Sequence, residues 1–581
     1  MNVNHKLLDT LQNLGNRGEP VERLYARMLD EKLFIAAYTK LYSNKGAMTD
    51  GIDPTDSIDG MSLARIREII QTLQNNDWQW KPVRRTYIPK ANGKQRPLGI
   101  PSWSDKLVQE VVRMVLEAYY EPVFHDESHG FRPNRSCHTA LLQVKHTWTG
   151  VVWFVEGDIK GCFDNINHDI LLDIVGKRIC DFRFLKLIRS MLKAGYWENG
   201  TRHKTLSGTP QGGIVSPLLA NIFLHELDEY IVNILKQAFD MGTRRRINPE
   251  YEKANNQYHY AKRRGNLQTA RSWQQIRQTV SRSDPLDPTF RRLLYTRYAD
   301  DFLIGIIGSR AEAQEVKDAV RSKLAELGLE LSEEKTVITN AANEKARFLN
   351  YEIYKAQDLI HRSVNGRVQL SVPKDRVATI AKRYMKNGKP AHRNQLLWSE
   401  IPDIINTYDV ELRGYYNYYK LAYNVSNRFG KLKSIMWFSL MRTLAGKLKT
   451  SIAKLRPRYR MTGPKSGNQC IGAWLETDKG RRLMTFGDFH LNVDKTPSYT
   501  DRDPYLAVLR ERELSFRLKH HTCELCGTES QDLVVHHIRR MKDIRKKVEK
   551  GQAPRWQEIM ASRNRKTLVI CRKCHYQIHY G

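Results

Sequence analysis

Two adjacent carboxylates, Asp300 and Asp301, interrupt the run Arg297-Tyr298-Ala299-Asp300-Asp301-Phe302-Leu303-Ile304, whose apolar flanks read as the two arms of a β-hairpin. Leu293 to Tyr295 lead in and Phe302 to Ile307 lead out. At a tight turn between buried strands two like charges repel unless a cation neutralises them, so a divalent metal is the expected partner. A second β-rich run, Val151 to Asp158, ends on a third carboxylate that a shared sheet would bring beside the hairpin. Three such groups can hold a pair of Mg²⁺ ions roughly 3.5–4 Å apart, the geometry of in-line phosphoryl transfer.

Charge narrows the substrate of that site. Lys and Arg number 95 against 63 Asp and Glu, a net charge of +32, and such a surplus repels itself without a polyanionic partner. Nucleic acid is the expected one. From Leu412 to Leu475 there are thirteen Lys or Arg and no Asp or Glu, with Tyr415, Tyr416, Tyr418, Tyr419, Trp437, Phe438 and Tyr459 threaded between them. That mixture suits phosphate contact combined with base or sugar stacking. No apolar run approaches the ~20 residues of a membrane span, and Met1 to Lys6 lack a signal-peptide core, so a soluble, intracellular protein with no membrane partner is expected. Four isolated cysteines, Cys137, Cys162, Cys180 and Cys470, read as buried thiols of a reducing compartment.

The first eighty residues look helical and amphipathic, with a break from Asn44 to Asp53. Arg84 to Lys90 and Gly93 to Pro101 predict a short hairpin with basic arms, suited to a triphosphate. Behind a Ser104-Asp105 start, Leu107, Val108, Val111, Val112, Val115, Leu116 and Tyr119 recur at helical spacing, the stripe of a packed core helix. The polar span from about 241 to 288 reads as an insertion carrying helices.

At the other end, Cys523-Glu524-Leu525-Cys526 and Cys571-Arg572-Lys573-Cys574 are two Cys-x-x-Cys knuckles, spaced for a structural tetrahedral Zn²⁺ site. His575 and His579, four residues apart, share one helical face and can chelate a metal.

The order of these pieces resembles the reverse transcriptases encoded within group II introns. The resemblance runs from Gly46–Asp53 through Ile88-Pro89-Lys90, Arg96 to Pro101, His129-Gly130-Phe131-Arg132-Pro133, Asp158 to Asp164, Gly208 to Gly213, Tyr298 to Asp301, Leu331-Ser332 with Lys335-Thr336, and Phe348-Leu349. It implies a multidomain α+β chain, a right-hand polymerase of fingers, palm and helical thumb, followed by a small zinc-stabilised ββα-metal (HNH) nuclease. The expected divisions are an N-terminal extension over 1–84, fingers and palm over 85–364, thumb or maturase domain over 365–475, a DNA-binding region over 476–519 and the nuclease over 520–581.

The resemblance also assigns roles. Asp158, Asp300 and the backbone carbonyl of Ile159 would hold two Mg²⁺ ions, with Asp301 supporting. Lys90 and Arg96 would reach the triphosphate of an incoming dNTP, Phe163 would wall off a ribose 2′-hydroxyl, Gln211 would lie against template and nucleotide with Gly212 and Gly213 allowing close approach, and Lys335 would protonate the leaving pyrophosphate. Arg413, Tyr415, Lys420, Lys431 and Lys433 would grip the intron RNA. Trp474, Lys479, Arg481, Arg482, Arg510 and Arg512 would meet target DNA. By position in the HNH motif, His536, His575 and His579 would hold one divalent ion and His537 would act as general base. The motif's central Asn is replaced by Lys566, with Asn564 two residues earlier.

The implied activity is copying RNA into DNA, together with folding the host intron for splicing and cutting target DNA so that the cut end primes synthesis. The implied compartment is the bacterial cytoplasm, with association to the nucleoid during action on DNA. Two alternatives have distinct signatures. A splicing maturase would bind RNA but extend no primer, and a domesticated reverse transcriptase would lack a flanking intron.

Overall fold

The computed structural model describes residues 6–42, 44, 46–89, 93, 95–205, 207–209, 212–284, 287–357, 365–477, 480–498, 513–549 and 551–581. Lys90, Gln211, Lys479, Arg510 and Arg512, each given a role above, lie outside the described residues.

A four-stranded antiparallel sheet carries the expected palm, in the order Val337–Asn340, Trp153–Asp158, Asp301–Ile307, Arg292–Tyr298. Its apolar strand Asp301–Ile307 lies between two neighbours and is buried from Phe302 to Ile307, as a strand covered on both faces must be. The basic hairpin forms as read, Val83–Pro89 pairing with Gln95–Ile100, and a parallel strand, Tyr196–Glu198, extends it. The insertion is a helical hairpin of Pro249–Arg263 and Leu267–Thr279.

The helix at Trp103–Tyr120 is the packed core helix expected, and it is buried on more than its apolar stripe. The apolar stripe is buried, but so are Asp105, Lys106, Gln109, Glu110 and Glu117 on its other faces. The helix is the axle of the N-terminal half, with helices Lys6–Arg17 and Glu31–Leu41 packed on it. Each of its buried polar groups therefore needs a partner. Glu110 pairs with Arg113 at 2.8 Å and Lys40 at 3.4 Å, Lys106 donates to the Thr49 carbonyl at 2.6 Å, and burial pushes the Asp105 carboxyl up to about 8.

Two expected boundaries cut through paired strands. Residue 365 falls inside an antiparallel sheet in which Val368–Ser371 pairs with Tyr351–Lys355. The 475/476 division falls inside the strand Gln469–Thr477, which pairs with Gly480–Phe486 and packs Ile471, Met484 and Phe486 against Tyr408 and Leu412 of the thumb helix Ile401–Tyr419. Backbone hydrogen bonding overrides the composition shift, and the thumb runs on at least to Asp494, whose carboxylate pairs with Lys420 at 2.9 Å. Of the isolated cysteines, Cys162 and Cys470 are buried, Cys137 is half-buried and Cys180 is exposed, contrary to expectation for the last.

The C-terminal unit pairs Leu533–His537 with Thr567–Cys571 and ends in the helix Arg572–Tyr580. It does not stand alone. Val535 bridges Met61 on its open edge, and Val534, Val535, Leu568, Val569 and Ile570 belong to the same apolar core as the N-terminal helices.

Candidate active sites

The strand register places Asp158 directly opposite Asp301, with Asp300 in the adjoining turn. Opposed residues on neighbouring strands share a face, so the three carboxylates converge. Burial, then the charges of Asp300 and Asp158, push the Asp301 carboxyl up to about 7, and burial together with Asp158 raises Asp300 as well. Acids so crowded are a poor arrangement for protons alone and a good one for divalent cations. Ile159 forms a bridge to Leu331 in which its neighbours make the hydrogen bonds, Ser332 N–H to the Asp158 carbonyl and Lys160 N–H to the Glu330 carbonyl. Ile159's own carbonyl is thereby directed to the opposite side, that of Asp300. The donor set fits a Mg²⁺ pair.

What holds the turn was not read from sequence. Ala299 sits at φ 58°, a left-handed conformation that costs a non-glycine residue roughly 1–2 kcal/mol. Arg297, fully buried, donates to the Ala299 carbonyl at 2.9 Å, to Ser128 Oγ at 2.9 Å and to Asn221 Oδ1 at 3.1 Å, while Asp228 takes its Nε and Nη2 at 2.7 and 2.5 Å. Asn221 also donates to the Gly130 carbonyl at 2.6 Å, and a Cβ on Gly130 would meet the Ala299 nitrogen at 2.3 Å. The His129-Gly130 segment is the floor on which the turn rests. Its signal was present, an Arg inside an apolar strand, and a buried Arg demands a buried acid.

The remaining polymerase residues divide. Phe163 stands edge-on to Phe131 with centroids 6.2 Å apart, and its carbonyl accepts from Thr209 N–H at 2.8 Å, tying the Gly208 loop to the Asp158 side. Gly212, at φ 110°, approaches the Gly99 carbonyl so closely that a Cβ would lie 2.6 Å from it, so its close approach is to the basic hairpin. Arg96 is exposed on that hairpin, opposite Ile88, and its charge opposes the rise of Asp300. Lys335 donates to Asp158 Oδ2 at 2.7 Å, a cation placed on the carboxylates themselves.

The expected RNA grip needs correction. Lys420 is buried and paired with Asp494, Lys433 donates to the Gly487 carbonyl at 2.7 Å, and Arg413 pairs with Asp409 at 2.6 Å beneath Phe489. These cations are consumed in joining the thumb helices to their sheet. Tyr415 accepts from Arg383 at 3.0 Å. Lys431 is exposed, as are Lys454, Arg456, Arg458 and Arg460 along the last thumb helix, Ile452–Tyr459, and beyond it. Tyr419 and Tyr459 are core, whereas Phe438 and Trp474 are exposed. Of the expected DNA contacts, Arg481 pairs with Glu476 at 2.8 Å.

The four clustered cysteines meet as expected, with Cys526 and Cys571 sulfurs 3.8 Å apart. Tetrahedral zinc with bonds of about 2.3 Å separates its sulfurs by about 3.8 Å, so the set fits the ion. His536, His575 and His579 also converge, and His536 is buried with both ring nitrogens lacking a hydrogen-bond partner, the mark of a ligand awaiting a metal. Burial holds the His537 imidazole down to about 3, neutral as a base must be, and its Nε2 lies 2.9 Å from the Tyr38 hydroxyl. Lys566 does not take over from the missing Asn by side chain. Its carbonyl accepts from Ile538 N–H at 3.1 Å, Arg517 donates to the Thr567 carbonyl at 3.0 Å, and Asn564 instead accepts from Arg545 at 2.7 Å. A cleft of about 970 Å³, lined by Arg84, Arg517, Arg539, Arg540, Arg565 and Lys566 among others, leads to His537.

The fourth member of the histidine cluster comes from the N-terminal extension. Asp59 accepts His537 N–H at 2.7 Å and lies 2.8 to 3.3 Å from the three other histidines. Burial opposes its ionisation, yet the His536 and His575 rings and the His537 N–H hold its carboxyl well below the usual carboxylate range.

Comparison with known proteins gives three family matches along the chain. Residues 88–259 and 266–353 match reverse transcriptase (RNA-dependent DNA polymerase), residues 365–477 match type II intron maturase, and residues 523–575 match the AI2M/AI1M-like HNH endonuclease. The group II intron-encoded protein LtrA of Lactococcus lactis subsp. cremoris is 41% identical over 97% of this chain and 96% of its own. An uncharacterized 91 kDa protein in the cob intron of Schizosaccharomyces pombe is 35% identical over 95% of this chain and 69% of its own, and a putative COX1/OXI3 intron 2 protein of Saccharomyces cerevisiae is 31% identical over 98% and 68%.

Proposed function

The chain belongs to the group II intron-encoded proteins, and from that premise we infer that its polymerase, maturase and nuclease parts serve one process, insertion of the intron into DNA and its copying there. The protein is an RNA-directed DNA polymerase, an RNA splicing cofactor and a DNA endonuclease of group II intron mobility. The observation that carries the polymerase reading is the register of Asp158 on Asp301 beside the Arg297-braced turn.

Two Mg²⁺ ions on these carboxylates supply activation of the primer 3′-hydroxyl and neutralisation of the leaving pyrophosphate. The chain's own residues do the rest. Asp158, Asp300 and the Ile159 carbonyl would hold the cations, with Asp301 beside them as the supporting carboxylate. Lys335, held at Asp158, would protonate the leaving pyrophosphate. Arg96 brings positive charge with the hairpin, and Phe163 excludes the ribose hydroxyl. On the thumb, Lys431, Lys454, Arg456 and Arg458 are exposed cations that would face the intron RNA, so that affinity falls steeply with salt. In the nuclease His536, His575 and His579 would hold a divalent ion that polarises the scissile phosphate, and neutral His537 would take the proton from the attacking water. No helix among the described residues is long and apolar enough to cross a membrane; the bacterial relative supports work in the bacterial cytoplasm, at the nucleoid when the protein acts on DNA.

The test is a crossed pair of variants. Asp300→Ala should lower primer extension on RNA about a thousandfold or more, as loss of several kcal/mol of metal assistance requires, and leave DNA nicking intact. His537→Ala should do the reverse, losing about 10²–10⁴ in nicking. A folded, RNA-binding wild type that extends no primer would return the chain to a splicing maturase.

A further inference from the structure

Asp59 belongs to the N-terminal extension, 478 residues from His537, yet it lies at the centre of the nuclease histidines. Its Oδ2 is 2.8 Å from His579 Nε2 and 3.3 Å from His575 Nε2, and its Oδ1 is 3.3 Å from His536 Nδ1. A tetrahedral ion bonded at about 2.0–2.1 Å sets its ligand atoms about 3.3 Å apart. From Oδ2 the His575 nitrogen lies at that edge and the His579 nitrogen inside it, and the His536 nitrogen lies at that distance from Oδ1. His536 supports the same geometry independently, since both its ring nitrogens are buried and without a hydrogen-bond partner even with a carboxylate oxygen 3.3 Å away. Hydrogen bonds leave both nitrogens of this histidine unsatisfied, and a shared cation would satisfy the one that faces it.

We propose that Asp59 is the fourth ligand of the nuclease metal, supplied across the domain boundary, and that the ion so closed fastens the nuclease to the N-terminal extension with the scissile phosphate excluded. This rests on the reading of His536, His575 and His579 as metal ligands. A catalytic site of this kind keeps one position open, and three histidines plus a carboxylate make the closed set of a structural one. The surroundings agree with a resting state. Gly60 N–H donates to the Val535 carbonyl at 3.0 Å and Val535 N–H to the Met61 carbonyl at 2.8 Å, so the segment carrying Asp59 is an added strand on the nuclease. Tyr38 of the same extension caps the His537 ring nitrogen that would serve as base. Metal and base are thus both covered by one surface. Exchange of the Asp59 carboxylate for a phosphate oxygen of DNA leaves the ion four-coordinate and frees His537 as the segment withdraws.

The experiment uses the full-length protein with zinc kept in the cysteine site, titrated with Co²⁺ and followed by ligand-field absorption and by amide exchange. Asp59→Asn retains an acceptor for His537 N–H and removes the charged ligand, and Asp59→Ala serves as a second variant. Both should bind Co²⁺ about tenfold or more weakly than wild type. Co²⁺ should slow exchange at Gly60 and Val535 in wild type and not in the variants. His575→Ala separates the two layers of the argument. If it binds Co²⁺ as wild type does, the nuclease metal reading fails; if it loses Co²⁺ while both Asp59 variants keep wild-type affinity, only the role given to Asp59 fails. At saturating Co²⁺ the Asp59 variants should nick supercoiled plasmid at least as fast as wild type. Slower nicking by a metal-loaded variant would overturn the closed state.

Discussion

The polymerase and nuclease sites solve one problem, holding divalent metal against a phosphate, by opposite means. The carboxylates Asp158, Asp300 and Asp301 come from neighbouring strands of a single sheet, and Arg297 secures their turn from directly beneath. The nuclease cluster joins a C-terminal helix and strand to Asp59 of the extension, and its cysteine knuckles hold that hairpin shut from behind. A site built within one sheet keeps its geometry whenever the sheet is formed. One assembled from two ends of a chain opens whenever the ends part, which suits a cutting activity that must await its target.

Removal of the cysteine zinc should make the largest difference between the two. Structural zinc contributes on the order of 10 kcal/mol to small domains that depend on it. With a thiol-competing chelator, amide exchange should rise along Leu533–His537 and, because Val535 bridges Met61, along Asp59–Met61 as well. Primer extension in Mg²⁺ should stay within about twofold, since no ligand of the palm depends on the knuckles. Parallel loss of extension would show that the shared apolar core couples the sites and would erase the contrast.

Next in size is the brace of the palm turn. Arg297→Met leaves Asp228 buried without its guanidinium, and breaking such a pair costs about 3–5 kcal/mol. Primer extension should fall with thermal stability, while Co²⁺ binding at the nuclease histidines is unchanged. Replacing both members, Arg297→Met with Asp228→Leu, should recover much of the stability and little of the extension, because the Ala299 carbonyl still lacks its donor. Full recovery of extension would reduce Arg297 to a partner for Asp228.

Sequence carried the palm far better than the joints. Alternating and continuous apolar runs fix strands, and a pair of acids between two such runs has few places to go, so the hairpin and its third carboxylate were legible. The cysteine knuckles and the histidine pair were legible for the same reason, each being defined by local spacing. Asp59 was not, because nothing distinguishes it among 63 acidic residues until the fold lays its segment along Leu533–His537. Lys420 and Lys433 show the converse error. A run of cations without acids reads as one basic face, but their partners, Asp494 and the Gly487 carbonyl, lie past the point where the composition changes. The expected thumb division near 476 follows that same composition change, and strand pairing carries the packed unit across it.

The smallest expected effect is a pH dependence confined to the palm. Burial and the charges of Asp300 and Asp158 raise the Asp301 carboxyl to about 7 in the fold, against an ordinary value near 4 in the unfolded chain. The folded state therefore holds a proton that the unfolded state has released, and stability is lost as pH rises from about 4 through 7. In Mg²⁺-free buffer the protein should lose on the order of 1 kcal/mol between pH 6 and pH 8, read as a lower thermal midpoint, because about one of the roughly three pH units over which the stability is lost lies above pH 6. Mg²⁺ should restore the loss at pH 8 and do little at pH 6, where the proton already neutralises the cluster. Asp301→Asn should flatten the profile. The nuclease cluster holds no matching acid, since Asp59 is held well below the carboxylate range by imidazoles and not above it by other acids. An equal slope in Asp301→Asn would place the titration elsewhere and remove like-charge crowding as the feature that sets the polymerase site apart.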